Sequence, residues 1–257
     1  MGKLPATKSW KGVVALITGG ASAAEVAAET AIAAERSLDE ASRNPVLRYA
    51  FWLLTQIPLA AREADFPGAL RRLELDVGDA PNLLEIGAAM LEAVDRYGAT
   101  VRRNDDLSEI ATKVATESLI SVASRSEDSL FGTTYASDEA RASLRGLSTN
   151  GQFGVLARDF ISRLLQNVSG YFLSRTLPEH VGVHRRFQSL KDHHAFEQAL
   201  VQHCRETSVI MQQFACEWFS KANHEGGITT EKAGGFLHHA LVKVRAELAL
   251  RRTAAYA

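Results

Sequence analysis

Cysteine is nearly missing from this sequence, and its two copies, Cys204 and Cys216, exclude a disulfide-stapled fold. Both fall in one expected helix, about 18 Å apart by rise alone, which is beyond the reach of a bridge and points to a reduced compartment. Proline is scarce as well, at six residues, so long stretches carry no helix breaker. The longest mostly apolar run, Phe51 to Ala61, contains Gln56 and Pro58 and amounts to about half a membrane span, so no membrane partner is expected. Met1-Gly2-Lys3-Leu4-Pro5-Ala6 offers no apolar secretion core, and the expected location is the cytoplasm. Sustained two-residue alternation with β-branched residues is absent, which excludes a sizeable sheet.

Compact catalytic signatures are absent too. The chain has no G-x-S-x-G elbow, no glycine-rich phosphate loop ending in G-K-[ST], and no H-E-x-x-H. It also has no Glu-x-x-His pair of the di-iron bundle kind. Charge of one sign is lacking overall, with a formal net charge of −1. That balance hides an asymmetry. Residues 1–150 carry 16 basic against 21 acidic side chains, giving −5, and residues 151–257 carry 13 against 9, giving +4. All eight histidines lie between His180 and His239. Any anion preference therefore belongs to the C-terminal part, and it is milder than a duplex-gripping domain needs.

What is present is helix. Alanine is abundant, and the apolar fraction of 46% with 23% charged residues fits a globular chain of one large domain or two small ones. A first helix over Ser9 to Ile17 stops at Gly19-Gly20. Ser22 and Glu25 form a capping box for a second, reaching about Ser42. Asn44-Pro45 supplies an N-cap and first position for a third, ending near Pro58. Further helices are expected over Pro67 to Leu73, from Pro81 to Tyr97 with a stop at Gly98, and from Asp106 to Ser124. Residues 126–150 read as a polar linker with a short helix from Ser137.

Three longer helices follow, at about Gln152–Leu177, Asp192–Asn223 and Thr230–Arg252. Leu200, Cys204, Thr207, Met211, Phe214 and Trp218 repeat at steps of four and three, as do Leu237, Leu241, Val244 and Leu248. Gly226-Gly227 with Thr229 and Glu231 predicts a hairpin between the last two. Gly234-Gly235 inside the last helix predicts a close backbone contact. The expectation is an all-α multi-helix array with a C-terminal bundle of three long antiparallel helices. Its parts are an acidic region 1–125, the linker 126–150 and a basic, histidine-rich region 151–257, the whole being compatible with one continuous domain.

Three groups of residues carry candidate chemistry. His193 and Glu197, four apart on a helix, could share a metal, although a closed site needs three or four convergent ligands. His184, Arg185, Arg186, Phe187 and Lys191 mix cations with an aromatic ring, which suits phosphates and a stacked base. Arg175-Thr176-Leu177-Pro178-Glu179-His180 resembles the R-x4-6-H signature of HEPN-type ribonucleases, which are helical bundles. That resemblance implies His180 as acid–base at the 2′-hydroxyl and Arg175 as the stabiliser of the phosphorane, with Pro178 departing from the family's helical setting.

The functional expectation is a non-enzymatic helical interaction protein, a subunit or adaptor of a cytoplasmic assembly, with no cofactor. Protein partners come first, nucleic acid at the C-terminal half second, and oligomerisation is compatible. A HEPN-like, metal-independent ribonuclease using Arg175 and His180 is one alternative, and a metal- or ligand-binding bundle is another.

Overall fold

The computed structural model describes residues 8–22, 25–26, 29–30, 43–103, 105–125, 137–174 and 177–255. Ten α-helices run through them. They are α1 (Lys8–Thr18), α2 (Pro45–Ala60), α3 (Phe66–Arg72), α4 (Leu83–Thr100) and α5 (Asp106–Arg125). The others are α6 (Ser137–Leu147), α7 (Asn150–Leu173), α8 (Leu190–Thr207), α9 (Ile210–His224) and α10 (Thr230–Ala255). One 3-10 turn, Leu177–His180, and one isolated bridge between Val181 and Phe187 complete the regular structure among the described residues. The fold is all-α, and no helix among the described residues is long and apolar enough to cross a membrane.

Helix α2 is anchored at its start by a buried asparagine. Asn44 Oδ1 accepts the N–H groups of Val46 at 2.8 Å and Leu47 at 3.1 Å, satisfying two free donors of the first turn. Its Nδ2 donates to Asp105 Oδ1 and Ser108 Oγ, both at 3.4 Å. One side chain thus caps α2 and ties it to the start of α5. Asp105 caps α5, accepting the Ser108 N–H at 2.9 Å and its hydroxyl at 2.7 Å. Desolvation pushes the Asp105 carboxyl up, but the two Ser108 bonds, Arg103 and Asn44 outweigh it and hold the pKa below its usual value.

The core is one cluster drawing on residues from Val46 to Leu248, including Ala140, Leu144 and Leu147 of α6. At its centre is Phe51 of α2, fully buried. Its ring lies 5.0 Å from Phe236 of α10, 5.3 Å from Phe160 of α7 and 6.0 Å from Trp218 of α9. Phe153 of α7 stacks on Phe219 of α9 at 4.0 Å. Helix α5 buries small residues on several faces (Ala111, Ala115, Ser118, Ala123), which lets it sit among α2, α4, α6 and α7. A smaller cluster joins Val13 and Ile17 of α1 to Leu173, Leu177, Phe187, Phe196 and Leu200.

The sequence pattern and the structure differ at informative places. Gly98 does not stop α4, because it lies buried inside a helix that runs to Thr100. The expected long helix over 192–223 is two helices, kinked at Ser208-Val209. There the hydroxyls of Thr207 and Ser208 each bond a preceding carbonyl at 2.8 Å, and Val209, Met211 and Gln212 donate three residues back. The kink brings α9 down on Gly154 of α7, where a Cβ would lie 2.5 Å from the Gln212 carbonyl oxygen. The structure does not set the C-terminal segments apart as a three-helix bundle, since α10 lies on α2 as well as α9. Gly226 and Gly227, with φ of 89° and 99°, make the expected turn before α10. Gly234 does face a close neighbour, which is the Arg48 side chain rather than a backbone.

Two measurements check this core. Phe51→Ala should cost about 3–5 kcal/mol in urea unfolding, since four helices lose packing at once. For Asp105, a depressed folded-state pKa gives stability that is present above the unfolded value of about 4 and lost as pH falls through the folded one. Asp105→Asn should therefore flatten the acid-side loss of the urea midpoint. Parallel pH curves for wild type and variant would show that the network adds nothing.

Candidate anion-binding groove

The face of α7 that turns away from the aromatic core lines an open groove shared with α8. Its first compartment, of about 400 Å³, holds Arg125 from the end of α5, Arg158, Asp159, Ser162 and Arg163 from α7, and Arg205 and Ser208 from α8 and its kink. The second, of about 740 Å³, runs along Gly170, Leu173 and Ser174 of α7 and His194, Glu197 and Val201 of α8. Gln166 and Arg205 line both, so the two compartments are continuous. Ser162 shares one compartment with Ser208, and Ser174 shares the other with His194. The two helices therefore run in opposite directions along the groove.

The four arginines are not equivalent. Asp159 holds Arg163 Nε at 2.6 Å and Arg125 at 3.4 Å, and Glu117 of α5 reaches Arg163 at 3.3 Å. Those two guanidiniums are largely compensated and serve to bind α5 to α7. Arg158 meets only neutral acceptors, the Gln212 side chain at 3.4 Å and the Arg205 carbonyl at 3.5 Å. Among the described residues neither Arg158 nor Arg205 has a carboxylate within ion-pair distance, and both line the same compartment, with Arg158 reaching the Arg205 carbonyl. Two planar guanidiniums lining one compartment suit a carboxylate or phosphate oxyanion. A third arginine-bearing cleft, with Arg62, Arg141 and Arg145, differs, because Arg141 is already engaged by the Ala61 and Glu63 carbonyls.

The residues singled out in the sequence fall elsewhere. Arg175 lies outside the described residues, and His180, half-buried, closes the 3-10 turn and accepts the Phe187 N–H at 3.0 Å. The mixed cluster after it is split by burial. His184, Arg185 and Lys191 are exposed, whereas Phe187 belongs to the smaller core and Arg186 turns inward. Arg186 donates to the Leu16, Ile17 and Ala21 carbonyls at the end of α1 and lies over the Phe187 and Phe196 rings at 5.1 and 4.9 Å. Those carbonyls lie in the last turn of α1 and just after it, where Leu16 and Ile17 also accept the Ala21 and Gly20 N–H groups, so Arg186 adds a cationic cap to the end of α1 and staples it to α8.

His193 Nδ1 is 3.8 Å from Glu197, whose carboxylate also lies 3.9 Å from His194. Among the described residues no three histidine, cysteine or acidic side chains converge where they could ligate a metal ion. Burial pushes the Cys204 thiol up to about 12, so it carries almost no thiolate near neutrality. The arginine groove escaped sequence reading because its charges come from three distant stretches, around residues 125, 158–163 and 205.

Arg186→Ala should release α1 from the body. Hydrogen exchange of residues 8–18 is expected to accelerate by about tenfold or more, as lost charged hydrogen bonds are each worth about 1.5–3 kcal/mol, while the urea midpoint of the main core changes little. Unchanged exchange in α1 would remove this role.

No family model matches the chain, and no match exists among curated proteins or solved structures, so what it binds has to follow from its own chemistry.

Proposed function

We propose that this chain is a non-enzymatic helical interaction protein, a subunit or adaptor of a cytoplasmic assembly, which holds an acidic partner protein in the arginine-headed groove. The observation that carries the proposal is that Arg158 and Arg205 line one compartment and among the described residues have no carboxylate counterpart. Half-buried or rim guanidiniums without an internal anion are favourable places for a partner's carboxylate, because their desolvation is offset only when one arrives. The +4 charge of residues 151–257 adds long-range attraction of the same sign.

Nucleic acid is the weaker occupant. Among the described residues the only ring lining either compartment is the His194 imidazole, a smaller stacking platform than phenylalanine, tyrosine or tryptophan.

Fluorescence anisotropy at low ionic strength tests the proposal with two probes, a labelled poly-glutamate of about 20 residues and an oligothymidylate of equal charge. Poly-glutamate binding should weaken about a hundredfold in Arg158→Ala/Arg205→Ala, roughly tenfold for each charge-assisted contact. The double variant Arg71→Ala/Arg72→Ala, which loses the same charge from exposed positions on α3, should leave it nearly unchanged. Equal loss in both double variants, or tighter binding of the oligothymidylate at Arg158 and Arg205, would defeat the proposal.

A further inference from the structure

The groove has a direction as well as a charge. Its arginine end is centred near Asp159 and its apolar end near Leu173, about 20 Å apart along α7 at 1.5 Å per residue. Leu177 lines the same end. Exposed apolar side chains continue the lining beyond both ends. Leu190, 76% exposed, precedes His194 by one turn on the α8 stripe that runs on through Glu197, Val201 and Arg205. Val209, 49% exposed, follows Arg205 by one turn. From Leu190 to Thr207, where α8 ends, this stripe extends for about 26 Å, with Val209 just past it. The floor between the ends is kept low: among the described residues no atom comes within 4 Å of where a Gly170 Cβ would stand.

We infer that the occupant is an acidic amphipathic helix of the partner, with carboxylates at Arg158 and Arg205 and an apolar patch about four turns away against the exposed Leu190, about 22 Å from Arg205 along α8. This rests on the acidic-partner reading above and specifies its shape. A helix of about five turns covers Leu190 and Val209 together with the groove, whereas one acyl chain inside the groove leaves both in water. Helix-in-groove docking of this kind takes its affinity from apolar anchors and its register from charge.

The test uses the full chain and two helical peptides of identical composition. In the matched peptide the glutamate cluster and the leucine cluster stand about 20 Å apart; in the compressed one they lie within one turn, about 5 Å. The matched peptide should bind at least tenfold more tightly. Gly170→Leu should fill the floor and erase that preference while the thermal unfolding midpoint stays level or rises, since leucine replaces a helical glycine with no clash. Ser174→Trp, on the same floor, should do likewise and serves if Gly170→Leu folds poorly. Equal binding of the two peptides, with both weakened by Arg158→Ala/Arg205→Ala, overturns the helix and leaves the acidic partner standing. Indifference of both peptides to those arginines removes both. Dodecyl phosphate displacing the matched peptide at lower concentration than the compressed peptide does would assign the groove to an anionic amphiphile instead.

Discussion

The stack of Phe51 on Phe236, 5.0 Å between ring centres and nearly coplanar, is the contact on which the other helix positions depend. It brings a residue of the third expected helix against one near the chain's end, and Phe160 and Trp218 pack around the same ring. Bringing such distant segments together costs loop entropy, and burying several large rings at one point is what offsets it. Trp52, one residue on, donates its indole N–H to the Ile228 carbonyl at 2.9 Å and so fixes the turn before α10. With α2, α9 and α10 placed by these contacts, α7 has its aromatic face committed inward. Its opposite face is left to build a groove.

That face shows how one helix can serve structure and recognition together. Asp159 and Arg163, four apart, fasten α7 to α5 through Glu117 and Arg125. Arg158, one position back, points to the α8 side, where Arg205 joins it. Small residues matter in both directions. Gly154 lets the α9 backbone approach α7 closely, and Gly170 leaves the groove floor open. The first absence is filled by the protein itself, the second by nothing among the described residues.

Much of the fold was legible because its signals are local. The Ser22–Glu25 capping box, the Asn44-Pro45 start, the Gly226-Gly227 turn and the four-and-three rhythm of Leu237 to Leu248 each act within a few residues. The misses were tertiary. Gly98 continues a helix because its neighbours pack around it, and the Ser208-Val209 kink is held by an approach to Gly154 that no local pattern encodes. The same holds for chemistry. The 184–191 stretch looked like a recognition patch, yet Arg186 and Phe187 serve to dock α1, since burial cannot be read from a run of residue types. Arg125, Arg158, Arg163 and Arg205 form a cluster only in space.

The groove's role as the docking site is tested most directly by NMR shift mapping of backbone amides and arginine Nε groups during titration with poly-glutamate. Binding in the groove predicts the largest shifts along residues 158–174 of α7 and 194–208 of α8, with Arg158 and Arg205 Nε moving together and α3 silent. Shifts centred on His184, Arg185 and Lys191, with those two arginines unmoved, would contradict it.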